Sequence, residues 1–91
     1  MPYHGGVPEI SRFLGIVVAM FYREHEPAHF HAYYGEFEVT VSIESGLVSG
    51  RFPPRALGHV LEWYRMHKQE LLDDWALARN SKPLKRIPPL E

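Results

Sequence analysis

The stretch EFEVTVSIE, residues 36–44, alternates between polar and apolar side chains without a fault. Successive side chains of a β-strand point to opposite faces of the sheet, so Phe37, Val39, Val41 and Ile43 share one face. Glutamate, threonine and serine occupy the other face. The pattern predicts a half-buried strand, and the rest of the fold can be built outward from it.

The residues before this strand predict a hairpin. Gly35 follows Tyr34, and a two-residue loop that begins with glycine is typical of a type II′ turn. If Tyr34 lies opposite Phe37, apolar residues of both strands share one face: Ala32 opposite Val39 and Phe30 opposite Val41.

The residues after the strand predict a second tight turn at Ser45-Gly46. Pairing Glu44 with Leu47 would place Val48 opposite Ile43. In that register Arg51 lies opposite Thr40 on the face away from the core. A third strand of the meander is therefore expected to reach residue 52.

The run from Phe13 to Tyr22 is rich in β-branched and aromatic residues and is apolar on both faces. We expect it to form a single strand at the start of the sheet, covered on both sides. If the REHEP loop joins it to the next strand with Tyr22 near Ala28, then Ala19 and Phe21 flank His31 and His29.

The hydrophobic period changes after Pro53-Pro54. Apolar residues then recur at helical spacing to about Asn80, with a potential bend at Met66-His67-Lys68. The proline-rich tail predicts irregular structure. The expected fold is α+β: a four-stranded, mainly antiparallel β-meander packed on one face by a C-terminal helical segment. We expect one domain, 1–91, with the sheet over about 10–52, the helical segment over about 54–80 and the tail over 81–91.

Composition limits the function. A net charge of −1 argues against non-specific electrostatic binding of nucleic acid. A short basic cluster near the end, which is more typical of a solvated tail, consists of Arg79, Lys82, Lys85 and Arg86. The chain has no cysteine, and its longest apolar run is about half of the ~20 residues that a membrane-spanning helix needs. The start, MPYHGGVPEI, lacks the pattern of a secretion signal. We expect a cytoplasmic protein with no membrane association and no cofactor.

The face of the sheet opposite the core carries an unusual mixture of side chains. The predicted register places His29 and His31 there, together with aromatic, hydroxyl and guanidinium groups: Phe21, Tyr33, Thr40, Ser42 and Arg51. A solvated sheet face does not normally carry this much aromatic and aliphatic area. The sequence therefore predicts that something covers this outer face.

Two long segments resemble the bacterial domain of unknown function family 4160. They are ISRFLGIVVAMFYREHEPAHFHAYYGEFEVTVSIESG and PPRALGHVLEWYRMHKQELLDDWALARNSKPLKRIPPLE, which together span about Pro8 to Glu91. The chain has Ala28 where members of the family commonly have a second proline. The resemblance implies a small protein encoded beside another small protein, in a toxin–antitoxin-like pair, and implies no specific activity.

Three interpretations of the histidines in REHEPAHFHA, residues 23–32, remain open. His25, His29 and His31 with Glu24 or Glu26 could bind zinc or another transition metal, although no firm fourth ligand is evident. His29, His31 and Arg51 could form an acid–base site for metal-free RNA cleavage. The third interpretation is a polar strand packed under an oligomer or a partner, with His25 in a solvated loop.

The sequence favours the third interpretation. We expect a protein-interaction module that self-associates or binds a second small protein, with the outer face as its interface: Phe21, His25, Tyr33, Thr40 and Ser42. The alternative is a small metal-independent ribonuclease that uses His29, His31 and Arg51. No metal site is assigned, and zinc is expected to have little effect on stability.

Overall fold

The computed structural model describes residues 8–91, and residues 1–7, including His4 and the start of the predicted domain, lie outside the described residues. Five antiparallel strands form one sheet in chain order, followed by two helices. Their bounds are β1 Glu9–Phe13, β2 Ile16–Ala19, β3 His29–Tyr34, β4 Phe37–Ser42, β5 Val48–Arg51, α1 Pro54–Met66 and α2 Lys68–Arg79. The α+β class is confirmed, but the prediction of four strands was wrong.

The additional strand comes from the apolar run at residues 13–22. Phe13 ends β1, and Leu14 and Gly15 form a turn in which both have positive φ angles, 51° and 79°. The chain then returns as β2, with Phe13 paired to Ile16. Glycine adopts such φ angles without steric cost, so Gly15 allows a tight turn inside a continuous apolar run.

The predicted register at the centre of the sheet is confirmed. Tyr34 pairs with Phe37 and Ala32 with Val39, while Val17 to Ala19 pair with Tyr33 to His31. Val39, Val41 and Ile43 are buried in the core, whereas Phe37 is 45% exposed at the end of the strand. The alternation in β4 therefore separates core from outer face along most of its length.

The predicted register between β4 and β5 was wrong by two residues. The loop is wider than a two-residue turn, because the amide of Ser42 donates to the carbonyl of Leu47 over 2.9 Å. Gly46 closes the loop with a φ of 77° and donates its amide to Ser42 over 2.8 Å. Val48 consequently pairs with Val41, and Arg51 pairs with Glu38 rather than Thr40.

The two helices meet at the predicted bend, where His67 separates α1 from α2. Helix α1 buries Ala56, Val60, Trp63 and Tyr64 in the same hydrophobic cluster as the core side chains of the sheet. The hydroxyl of Tyr64 donates to the carbonyl of Ile43 over 2.6 Å. Neither helix in residues 8–91 has the length and apolar character needed to span a membrane.

The tail after α2 has no regular secondary structure, as expected, and the basic residues Arg79, Lys82, Lys85 and Arg86 are exposed, but its backbone is held against the sheet. The amide of Ile87 donates to the carbonyl of Ile10 over 2.8 Å, and the hydroxyl of Ser11 donates to the carbonyl of Ile87 over 3.0 Å. The indole of Trp63 donates to Pro88, and Arg86 pairs with Glu9. The tail therefore binds along β1 and over α1, and Ile87 is buried.

Candidate functional site

The outer face of the sheet is covered in part by the protein's own chain. The segment 20–28, which joins β2 to β3, places Phe21 edge-on against His31, with ring centroids 4.8 Å apart. The same segment brings Glu24 over β3. Some of the cover that the sequence predicted for this face is therefore supplied by the loop between β2 and β3.

Glu24, His29 and His31 form a compact cluster on this face, which we call the histidine cluster. One oxygen of Glu24, Oε1, lies 2.9 Å from Nε2 of His29 and 3.0 Å from Nε2 of His31. The potential metal-binding atoms of the three residues all lie within 4.8 Å of one another. The two imidazoles alternate with core residues along β3, so the strand itself points both rings at the same carboxylate.

The remaining ring nitrogens of the histidine cluster also face oxygen atoms. Nδ1 of His29 lies 2.8 Å from the carbonyl oxygen of Pro27, and Nδ1 of His31 lies 3.3 Å from Oε2 of Glu38. Carbonyl and ionised carboxylate oxygens only accept hydrogen bonds, and a neutral imidazole has a single N–H to donate. Each ring thus lies between two acceptors, of which a neutral ring can donate to only one.

The histidine cluster lines one wall of a pocket of about 860 Å³ that crosses the outer face. The opposite wall is formed by the loop between β4 and β5 and by the start of β5, where Leu47 is 74% exposed. Lining residues of both walls combine hydroxyl, imidazole and apolar groups: Glu24, His25, Pro27, His29, His31, Thr40, Ser42, Ser45, Leu47, Val48 and Ser49. These lining residues include no lysine or arginine, so the pocket as described offers no side-chain cation for a phosphate.

The structure brings most of the predicted site residues together. His29 and His31 have ring centroids 5.2 Å apart, and Thr40 and Ser42 lie directly across from them on β4. Tyr33 stacks on His31 at 6.3 Å with nearly parallel rings. His25 lines the pocket, with its ring 6.2 Å from that of His29, but it is outside the three-residue cluster.

Arg51 lies opposite a different residue from the one that the sequence predicted. It pairs with Glu38, which itself contacts His31, and it is not among the residues that line the pocket. The shift of two residues in the β4–β5 register is the physical cause. Of the proposed acid–base set, His29 and His31 line the pocket, and Arg51 lies opposite Glu38 on the neighbouring strand.

Two contributions to the site were not identified from the sequence. Glu38 was assigned only to the polar side of β4, although its place opposite Tyr33 lies diagonally next to His31. Helix α2 also reaches the site, because the ring of Trp75 lies 5.3 Å from that of His29 and Arg79 pairs with Glu26 at 2.6 Å. No pattern in the sequence linked the end of this helix to the REHEP loop.

Comparison with known proteins gives one match. Residues 15–76 match the model of a family described as Domain of unknown function (DUF4160). The matched residues include the histidine cluster, Glu38 and most of both helices. Neither the curated proteins nor the solved structures gave a significant match.

Proposed function

Since the chain belongs to the DUF4160 family, whose function is unknown, we propose a function from the pocket and the neighbouring edge of the sheet. The protein is a cytoplasmic protein-interaction module that pairs with a second copy of itself through β5. The observation that carries the proposal is the contrast between the two edges of the sheet.

The edge at β1 is covered and the edge at β5 is open. Ile87 of the tail hydrogen-bonds to Ile10, so β1 has a neighbour on its outer side. All four residues of β5 are exposed, and no segment within residues 8–91 pairs with its outer side. An open strand edge presents unpaired amide and carbonyl groups that a second strand can satisfy.

The surface beside β5 adds apolar area to this open edge. Leu47 is 74% exposed and Val48 is 37% exposed, and both line the pocket that extends to the histidine cluster. A strand paired to β5 would bury these side chains in addition to forming backbone hydrogen bonds. The edge and the pocket thus form one continuous surface for a partner.

A second copy is the occupant that this edge favours. Two identical strands that pair antiparallel about a two-fold axis satisfy the same groups on both partners, and the association closes as a dimer. The covered β1 edge disfavours assemblies larger than a dimer, because residues 8–91 offer no second open strand to which another copy could pair. This geometry supports a dimer with one continuous sheet rather than an open chain of subunits.

Light scattering over a range of protein concentrations tests the proposal. We expect the unaltered protein to dimerise and Val48→Lys to remain monomeric, because a charged side chain on an edge strand opposes pairing. Leu14→Lys is the matched control, since Leu14 is 61% exposed in the turn between β1 and β2. Dimers that persist in Val48→Lys, or a strict monomer of the unaltered protein, would overturn the proposal.

The histidines and Arg51 lead to a second candidate, a metal-independent ribonuclease. The proximity of His29 and His31, 5.2 Å between ring centroids, favours an acid–base pair. The position of Arg51 opposite Glu38 and the absence of a cation among the lining residues of the pocket make this candidate the weaker one. RNA cleavage that persists with a chelator and is lost in His31→Ala would favour it over an interaction module alone.

A further inference from the structure

The geometry points to a divalent transition-metal site formed by Glu24, His29 and His31, with an open coordination position facing the pocket. This inference is independent of the proposed dimer and adds a ligand to the same face of the sheet. It differs from the expectation drawn from the sequence alone, in which no metal site was assigned.

The ligand atoms of the histidine cluster converge on one point. Two imidazole nitrogens lie 2.9 and 3.0 Å from one carboxylate oxygen, and all three ligand atoms are within 4.8 Å of one another. Ligands that share a zinc ion at bond lengths of ~2.0–2.2 Å lie about 3.0–3.5 Å apart. Small side-chain rotations would therefore bring the three atoms onto one ion.

The two imidazole rings are oriented as in metal-binding histidines. Metal-binding histidines typically donate the other ring N–H to a carbonyl or carboxylate, which fixes the ring and leaves the second nitrogen free to bind. His29 has the carbonyl of Pro27 at its Nδ1, and His31 has the carboxylate of Glu38 at its Nδ1. Both supporting contacts leave Nε2 as the ligand atom, and both Nε2 atoms face Glu24.

The unfilled nitrogen of each ring also favours a cation. A neutral imidazole that donates its N–H from Nδ1 presents the lone pair of Nε2 to the carboxylate of Glu24. A divalent cation held between the two rings and the carboxylate would attract all three groups. The side chains of His29 and His31 are only 13% and 12% exposed, so water screens the attraction between a bound cation and Glu24 weakly.

The ligand set indicates the chemical class of the ion. Two imidazoles and one carboxylate suit zinc and neighbouring first-row metals better than calcium or magnesium, which prefer oxygen ligands. Three protein ligands leave at least one position for water or for an oxygen or nitrogen atom of a pocket ligand. The pocket of about 860 Å³ beside the cluster is where such a ligand would approach.

Calorimetric titration of tag-free protein with zinc chloride tests the inference. We expect one zinc per chain, with affinity reduced at least ~100-fold in His31→Ala and in the nearly isosteric Glu24→Gln. Glu38→Gln, which alters only the support of His31, should weaken binding by about 10- to 100-fold. Circular dichroism of each metal-free variant establishes that the fold is retained.

His67→Ala is the matched control. His67 is also a weakly exposed histidine in contact with a glutamate, Glu70, but it lies between the two helices, away from the cluster. We expect this variant to bind zinc as the unaltered protein does. Failure of the unaltered protein to bind stoichiometric zinc, or binding retained in both His31→Ala and Glu24→Gln, would overturn the inference, as would loss of binding in His67→Ala alone.

Discussion

Asp74 on α2 is a buried carboxyl group with incomplete hydrogen bonding. It is 1% exposed, and its Oδ1 accepts the amide of Lys85 over 2.9 Å. Its Oδ2 has no partner in the part of the chain that the structure describes. Burial raises the pKa of Asp74 above its ordinary value of 3.8, and the neighbouring Asp73 and Glu70 add to the rise while Lys85 opposes it.

This shift predicts how Asp74→Asn changes the pH dependence of stability. Because the pKa is higher in the folded state, the folded chain retains the proton after the unfolded chain has lost it, and Asp74 lowers the stability as pH rises through that window. We expect the asparagine variant to gain stability relative to the unaltered protein between about pH 4 and pH 7. Urea unfolding of both proteins at the two pH values measures their free energies of unfolding. A difference in free energy between the two proteins that is the same at both pH values would contradict the prediction.

At the scale of secondary-structure elements, the tail and β1 stabilise each other. Ile87 is 4% exposed, and the residue contacts β1 through its amide and its carbonyl. The edge of the sheet at β1 is thereby closed by a segment that has no secondary structure of its own. This arrangement makes a tail residue part of the core.

We therefore expect Ile87→Ala to destabilise the protein by about 2–5 kcal/mol, the usual cost of removing a large buried aliphatic side chain. Leu14→Ala should change stability by no more than about 0.5 kcal/mol, since Leu14 is 61% exposed. Thermal or urea unfolding of both variants measures the difference. Equal stabilities would show that the tail contributes little to the core.

The elements differ in how well the sequence predicts them. Strand β4 and its pairing with β3 follow from strict alternation and from the glycine turn, and the helices follow from helical spacing after Pro54. The turn at Leu14-Gly15 was missed because it interrupts an apolar run without any polar residue. The β4–β5 register was missed because the loop ending at Gly46 is wider than the two-residue turn that Ser45-Gly46 suggested.

The sequence predicted only the part of the candidate site that depends on local pattern. Strand period placed His29 and His31 on the outer face with Thr40 and Ser42, since pairing along β3 and β4 depends on local pattern alone. The placement of Arg51 failed with the β4–β5 register. Contacts of the loop between β2 and β3 with Trp75 and Arg79 depend on tertiary packing, which no local pattern encodes.

At the scale of the whole molecule, the core is small and the margin of stability is narrow. A domain of 91 residues has a free energy of unfolding of roughly 5–14 kcal/mol. Val41 lies at the centre of β4 with no exposed surface, within the hydrophobic cluster shared by the sheet and α1. The buried residues within 8–91 include no lysine, arginine or histidine that could pair with a negative charge at that position.

Val41→Asp is therefore expected to leave most of the protein unfolded. An unpaired buried carboxylate costs several kcal/mol, which is comparable to the whole free energy of unfolding. Ser49→Asp is a suitable control on the neighbouring strand, because Ser49 is exposed on β5. Circular dichroism compares the two variants, and a cooperatively folded Val41→Asp would contradict the assignment of this face to the core.

The contact of the tail with β1 also has a consequence for the order of folding. The hydrogen bond between Ser11 and Ile87 joins residues 76 positions apart, whereas the strand pairings join neighbours in the chain. Closing so long a loop carries a large entropic cost until the intervening elements are in place. We expect the meander and helices to form first and the tail to dock last, so that the β1 edge is exposed while the chain is still folding.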